Sequence, residues 1–163
     1  MNYRTSVFLL LGGLICTILS AQQPKRAYHA PEFARTWHLP SVHPDHIMLN
    51  LTEDPSTSMS VTWRTTVEVL KGYAEVALAT AAPKFWRNAI TIKANTQTMN
   101  AMTVTGANSI SNYHAVTFTE LLPDTLYAYR VGDGRIWSEW IQFRTAAQEE
   151  KPFSFLYVGD AQN

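Results

Sequence analysis

The strand pattern of this chain is clearest in the sequence Ser58-Met59-Ser60-Val61-Thr62-Trp63-Arg64-Thr65. Apolar Met59, Val61 and Trp63 alternate with polar residues, and this period of two is typical of a strand with one buried and one solvated face. We therefore predict a half-buried antiparallel strand over residues 58–65.

Similar short runs, rich in β-branched and aromatic residues, lie on both sides of this strand, at residues 47–51, 73–80, 89–93, 99–105, 113–121, 126–131 and 136–144. Turn-forming residues separate them, as at Gly132-Asp133-Gly134. Short strands at this spacing predict an all-β fold of about seven strands, an antiparallel β-sandwich, over residues 44–146.

Composition limits the classes of protein that fit. The chain has 163 residues with 13 basic and 13 acidic side chains, so no general positive charge suggests a nucleic-acid partner. Its length suffices for one domain of ordinary size and little more. Cys16 is the single cysteine, so residues 17–163 contain no disulfide framework and no cysteine-ligated zinc site. Stability must therefore come from a hydrophobic core.

Residues 1–21 have the layout of a signal peptide, with Arg4 ahead of an apolar run at 7–19 and small Ser20-Ala21 before Gln22. The apolar run is shorter than the roughly 20 residues that span a bilayer, which favours cleavage over a membrane anchor. Bulky Ile15 before Cys16 argues against a lipoprotein anchor. We expect a secreted or periplasmic protein with no membrane attachment after cleavage.

Residues 22–43 form a proline-rich segment that we predict to be an extended lead-in, because each proline fixes φ and removes a donor. Histidines are concentrated in and just after it, but their spacing matches no recognised pair of metal ligands. We expect surface histidines rather than ligands at His29, His38, His43 and His46.

A charged, proline-terminated linker at residues 147–152 ends the sandwich pattern, and residues 153–163 begin with the apolar run Phe153-Ser154-Phe155-Leu156-Tyr157-Val158. A run that is apolar on both faces is typical of a buried strand in a parallel sheet, which implies a second domain. Gly159-Asp160 follows at the carboxyl end of this strand. In such sheets, ligand-binding residues are often found at the carboxyl ends of strands. Asp160 is therefore a candidate metal ligand.

The sequence Leu121-Leu122-Pro123-Asp124-Thr125-Leu126-Tyr127 fits the pattern L-x-P-x-T-x-Y of the tyrosine corner in fibronectin type III domains. We predict that the Tyr127 hydroxyl hydrogen-bonds to upstream backbone. We also predict that Trp63 is a core aromatic residue rather than a ligand-stacking platform.

Several dispersed motifs together resemble the N-terminal domain of purple acid phosphatases, over about residues 44–145. They are Pro44-Asp45-His46-Ile47-Met48-Leu49, Met59 to Thr65, Thr125-Leu126-Tyr127-Ala128-Tyr129-Arg130-Val131-Gly132, Trp137-Ser138-Glu139-Trp140 and Phe143-Arg144-Thr145. The similarity continues into residues 153–160, which look like the first strand and first metal motif of a metallophosphoesterase domain.

This resemblance implies an exported hydrolase of phosphate esters whose two-metal centre holds iron with zinc, manganese or a second iron. In such enzymes the first-motif aspartate is a terminal metal ligand, a role that transfers here to Asp160. Gln162 departs from the family's G-D-x-G form, where Gly is usual. The later ligand motifs lie outside these 163 residues. We therefore expect the chain alone to be inactive and to bind no metal pair stably, and the sandwich to pack against a catalytic domain.

A stand-alone fibronectin type III-like binding or adhesion module is the competing interpretation. The two are distinguished by residues 153–163. An unpaired apolar strand gives an independent module no advantage and is prone to aggregation. The sequence therefore favours the N-terminal part of a phosphoesterase.

Overall fold

A computed structural model describes residues 39–100 and 110–159 of the chain. Within them the chain folds into eight β-strands and one short 3₁₀ helix at Phe85–Asn88. The strands are β1 (Asp45–Leu51), β2 (Met59–Thr66), β3 (Tyr73–Leu78), β4 (Ile90–Lys93), β5 (Asn95–Asn100), β6 (Ile110–Phe118), β7 (Leu126–Gly132) and β8 (Ile141–Arg144). No helix in the described ranges is long and apolar enough to cross a membrane.

The strands form two four-stranded antiparallel sheets. The first has the order β1-β2-β6-β5 and the second has the order β4-β3-β7-β8. Ala94 alone separates β4 from β5, and the chain changes sheets there while the Ala94 N–H donates to the Gly72 carbonyl at 2.8 Å. The predicted all-β sandwich is thus confirmed.

The core lies between the sheets and takes alternate residues from the strands that face it. On β2, Met59, Val61 and Trp63 are buried, as the alternation predicts. From the other sheet, Phe143 stacks on Phe118 at a ring-centroid distance of 6.3 Å and on Tyr127 at 5.7 Å. The contact with Phe118 joins edge strand β8 of the second sheet to central strand β6 of the first, and the contact with Tyr127 lies within the second sheet.

Three predicted strands differ clearly from the observed ones, and one of them, predicted at 113–121, is β6 at Ile110–Phe118. The strand predicted at 136–144 is reduced to β8 and an isolated bridge between Trp137 and Gly132 of β7, because the Ser138 side chain instead of a backbone carbonyl accepts from the Val131 N–H and interrupts the ladder. The strand predicted at 99–105 begins earlier, as β5 (Asn95–Asn100), because Thr96 and Thr98 face partners on β6. Residues 101–105 lie outside the described part of the chain.

Residues 151–159 form neither helix nor strand, and their side chains are exposed. Residues 153–159 thus do not form the strand predicted at 153–160 in this structure, and its formation within a further domain stays a prediction. A strand exists only when a neighbour accepts and donates its backbone hydrogen bonds. No strand of the described sandwich pairs with this segment.

Candidate functional site at the linker end

The tyrosine corner organises one end of the sandwich. The Leu122 N–H donates to the Tyr127 hydroxyl oxygen at 2.9 Å, which confirms the predicted corner. Thr145 is buried beside it, and its hydroxyl donates to the Leu122 carbonyl at 2.6 Å and accepts from the Thr125 N–H at 2.9 Å. The β6–β7 connection is thereby fixed to the residue that follows β8.

The chain leaves the sandwich at this corner. The Ala146 N–H donates to the Pro55 carbonyl at 2.9 Å, and the Ala146 carbonyl accepts from the Asp124 N–H at 2.9 Å. Residue 146 is therefore held between the β1–β2 loop and the β6–β7 loop. We call the surface formed by residues 52–58, 119–125 and 145–152 the linker end.

An ion pair holds the linker itself. Lys151 Nζ lies 2.5 Å from Asp124 Oδ2, and Arg144 Nη1 lies 3.5 Å from Asp124 Oδ1. The hydrogen bond from Lys151, with smaller contributions from the charges of Lys151 and Arg144, holds the pKa of the Asp124 carboxyl below its ordinary value. Because these side chains are about half exposed, the pair directs the linker more than it stabilises the fold.

Beyond Lys151 the chain carries an exposed apolar segment, residues 153–158. Its five large apolar side chains have exposed fractions between 69% and 87%, and the Phe153 and Phe155 ring centroids lie 6.2 Å apart. Leu51 and Leu122 are also exposed, beside and within the same end. A soluble domain rarely leaves this much apolar surface clustered unless something covers it.

Asp160, the predicted metal ligand, lies outside the described residues, as do His29 and His38. His43 and His46 are described and exposed, and His46 Nδ1 lies 3.2 Å from Asp45 Oδ1. Within residues 39–100 and 110–159 no group of three or more His, Cys, Asp or Glu side chains is arranged to hold a metal ion. The exposed apolar side chains make the described linker end a candidate docking surface.

An aromatic and cationic stack on the outside of the second sheet was not anticipated from the sequence. The Arg130 guanidinium carbon lies 4.6 Å from the Trp137 ring centroid and 4.8 Å from the Trp140 ring centroid, and Arg130 Nε donates to Glu75 at 2.7 Å. Phe85 from the 3₁₀ helix meets Trp140 edge-on at 5.1 Å. The guanidinium is already engaged by two rings and a carboxylate, so this stack braces the sheet and is not an open ligand site.

The two antiparallel sheets, closed by a tyrosine corner, define a fibronectin type III-like β-sandwich. The family model described as the purple acid phosphatase N-terminal domain matches residues 44–145, and the chain belongs to that family. No curated protein matches the chain.

Similar folds occur among solved structures of low sequence identity. The fn3 domain of human contactin 1 is 18% identical with a TM-score of 0.47, covering 71% of this chain and 86% of that one. The third fibronectin III domain of human KIAA0343 protein is 17% identical with a TM-score of 0.38, covering 77% of this chain and 94% of that one. These likenesses concern the fold alone.

Proposed function

We propose that this chain is the N-terminal part of an exported purple acid phosphatase-like metallophosphoesterase. In this proposal the sandwich packs against a catalytic domain and presents that domain's first strand from its linker end. The observation that carries the proposal is the exposed apolar segment 153–158, which follows a family-matched sandwich and begins two residues after the ion-paired Lys151.

The chemistry of the segment supports a partner domain. Burying one large apolar side chain contributes about 1.5–3 kcal/mol, and five such side chains are exposed here. A strand that is apolar on both faces reaches that burial in a parallel sheet covered on both sides. A catalytic α/β domain that takes residues 153–159 as its first strand provides such surroundings.

Asp160 would then lie where that strand ends and would act as a terminal ligand of a two-metal centre. Carboxylate oxygen suits hard ions such as iron and manganese, and a metal pair of this kind clamps a phosphoryl group and activates a bound hydroxide. One carboxylate is too small a donor set for such a pair. The remaining ligands would come from sequence beyond Asn163, so in this proposal the 163 residues alone do not turn over substrate.

The reading frame of the gene past Asn163 provides the first test. An open frame with Gly-Asn-His and Gly-His-x-His motifs supports the proposal. An immediate stop codon would instead support an independent binding module.

Activity provides the second test. The 163-residue chain and the product of the longer frame are assayed with a chromogenic phosphate ester and added iron, zinc or manganese. We expect turnover from the longer product only, and a loss of about 100-fold or more in its Asp160→Asn variant. Asp133→Asn, at the opposite end of the sandwich, is the control and should retain activity. Turnover by the 163-residue chain above a mock preparation would overturn the proposal.

A further inference from the structure

A pocket lies at the end of the sandwich opposite the linker end, between the residues that precede β1, the β2–β3 loop and the β7–β8 connection. Its volume is about 430 Å³, and its apolar lining consists of Val42, Val69, Leu70 and Ile136. Val69 is buried, whereas Leu70 is 76% exposed, so part of the apolar wall faces solvent. Volumes of roughly 300–1,000 Å³ are typical of pockets that hold a ligand.

Hydrogen bonds fix the walls of this pocket. The Asn112 side-chain amide, buried on β6, donates to the Val67 carbonyl at 3.2 Å and to the Val69 carbonyl at 3.0 Å. On the β7–β8 side, the Asp133 carboxylate accepts from the Ile136 N–H at 2.6 Å. The pocket is therefore preformed in the sandwich.

The charges on the rim do not select an ion of either sign. Glu68 and Lys71 carry one charge of each sign, and the Asp133 carboxylate is engaged by the backbone N–H groups of Arg135 and Ile136. Together with the apolar lining, this rim suits an aromatic or aliphatic group rather than a charged one.

The chain enters the sandwich beside this pocket. The Thr66 N–H donates to the Ser41 carbonyl at 2.8 Å, and the next residue, Val42, belongs to the pocket lining. The backbone bends at residues 39, 42 and 43, and Leu39, where the described range begins, is 51% exposed. The lead-in residues 22–38 lie outside the described ranges, and their attachment point is thus at the pocket itself.

The sequence of the lead-in provides an aromatic side chain within reach. Trp37 is five residues before Val42, and five residues of chain span at most about 18 Å. Phe33 is nine residues before Val42 and needs a longer loop closure, which costs more entropy. A group on so short a tether has an effective concentration on the order of millimolar, and an indole gains from burial of its large apolar surface.

We propose that the pocket is the docking site of the chain's own lead-in, with the Trp37 indole packed against Val69, Leu70 and Ile136. The docked indole covers the exposed part of the Leu70 wall and ties the lead-in to the sandwich. This contact does not depend on whether a catalytic domain follows residue 163.

Trypsin cleavage of the 163-residue chain after Arg35 tests the docking. Arg35 is two residues before Trp37, so the protease should cut this bond only in the undocked form. Mass spectrometry measures the cleavage rate, with a synthetic peptide of residues 22–42 as the unprotected reference. We expect cleavage in the chain to be at least about tenfold slower than in the peptide, as burial of one large aromatic side chain allows.

Variants assign the protection to the indole and to the pocket, each compared with a peptide that carries the same lead-in sequence. Trp37→Ala should remove the protection, and Trp37→Phe should retain part of it. Leu70→Asp on the pocket wall should also remove it. Leu51→Asp, at a leucine that is 75% exposed at the opposite end of the sandwich, is the matched control and should leave the cleavage rate unchanged.

Nuclear Overhauser contacts between the Trp37 ring and the Val69 methyl groups give a direct readout. Cleavage of the chain as fast as the peptide would overturn the proposal, as would protection that persists in Trp37→Ala or protection without these contacts. Protection that increases with protein concentration would identify a second copy as the occupant and would overturn it as well.

Discussion

Strand β7 (Leu126–Gly132) and the segment 153–159 have similar apolar and aromatic compositions but opposite surroundings. β7 lies between β3 and β8, and Tyr127, Ala128, Tyr129 and Val131 are buried. No strand in the described part of the chain pairs with the segment 153–159, which is exposed. An apolar run therefore indicates that a segment requires neighbouring strands to bury its side chains and pair its backbone. The sandwich supplies these neighbours for β7 but not for the segment 153–159.

Core truncation should produce the largest contrast between the two regions. Trp63 is 1% exposed, and we expect Trp63→Ala to lower the free energy of unfolding by about 3–5 kcal/mol, through lost burial and a cavity. Phe155 is 79% exposed, and Phe155→Ala should change the free energy of unfolding by less than about 0.5 kcal/mol. Urea unfolding measures both. A cost above about 1 kcal/mol for Phe155→Ala would show that the segment packs on the sandwich.

Added volume at two glycines should sharpen the same contrast. A Cβ at Gly72 would lie 2.8 Å from Trp63 Cζ2 as well as against His114, so Gly72→Ala should cost about 1–3 kcal/mol by overpacking. Nothing lies within 4 Å of the corresponding position at Gly159, so Gly159→Ala is the matched control and should cost nothing measurable. Equal midpoints for the two variants in thermal unfolding would contradict the packing of Gly72 against Trp63 and His114.

Loss of one hydroxyl tests the tyrosine corner. Tyr127→Phe removes the acceptor of the Leu122 N–H and should lower the free energy of unfolding by about 1 kcal/mol. Tyr157→Phe makes the same chemical change in the exposed segment and should be neutral. If chemical denaturation gives the same free energy for both variants, the corner does not stabilise this sandwich.

The smallest effect concerns the ion pair at the linker. Lys151→Ala removes the main cause of the lowered pKa of Asp124, so that pKa should rise towards its ordinary value of 3.8. A carboxyl group whose pKa is lowered in the folded state adds stability at pH values above its ordinary pKa. This contribution is lost as the pH falls through the folded-state pKa. A ¹³C-detected titration of Asp124 measures the change, with Lys93→Ala on β4 as control. An unchanged pKa in Lys151→Ala would mean that the linker is not held there.

Local patterns in the sequence predict much of this fold. The alternation around Val61 assigns the buried face of β2, and the pattern ending at Tyr127 predicts a specific hydrogen bond that the structure contains. Both signals lie within a few consecutive residues, which is why they can be read without knowing which strands pair.

Features that depend on strand pairing could not be predicted in the same way. Glu75 and Arg130 are opposite each other only because β3 pairs with β7, and His114 meets Thr65 and Thr96 only through the registers of β2, β6 and β5. The prediction of the metal site has a different status, because Asp160 lies outside the described residues. Asp160 was chosen from the sequence and its resemblance, and it remains a prediction.

Deletion of residues 151–163 tests the central claim most directly, namely that the sandwich is complete in itself and that the exposed segment belongs to another domain. Thermal unfolding and light scattering are measured for the deleted and undeleted chains. We predict cooperative unfolding with a midpoint within about 2 °C of the undeleted chain, corresponding to less than about 0.5 kcal/mol, and less self-association. Loss of cooperative unfolding on deletion would contradict the claim, because the segment would then be part of the sandwich.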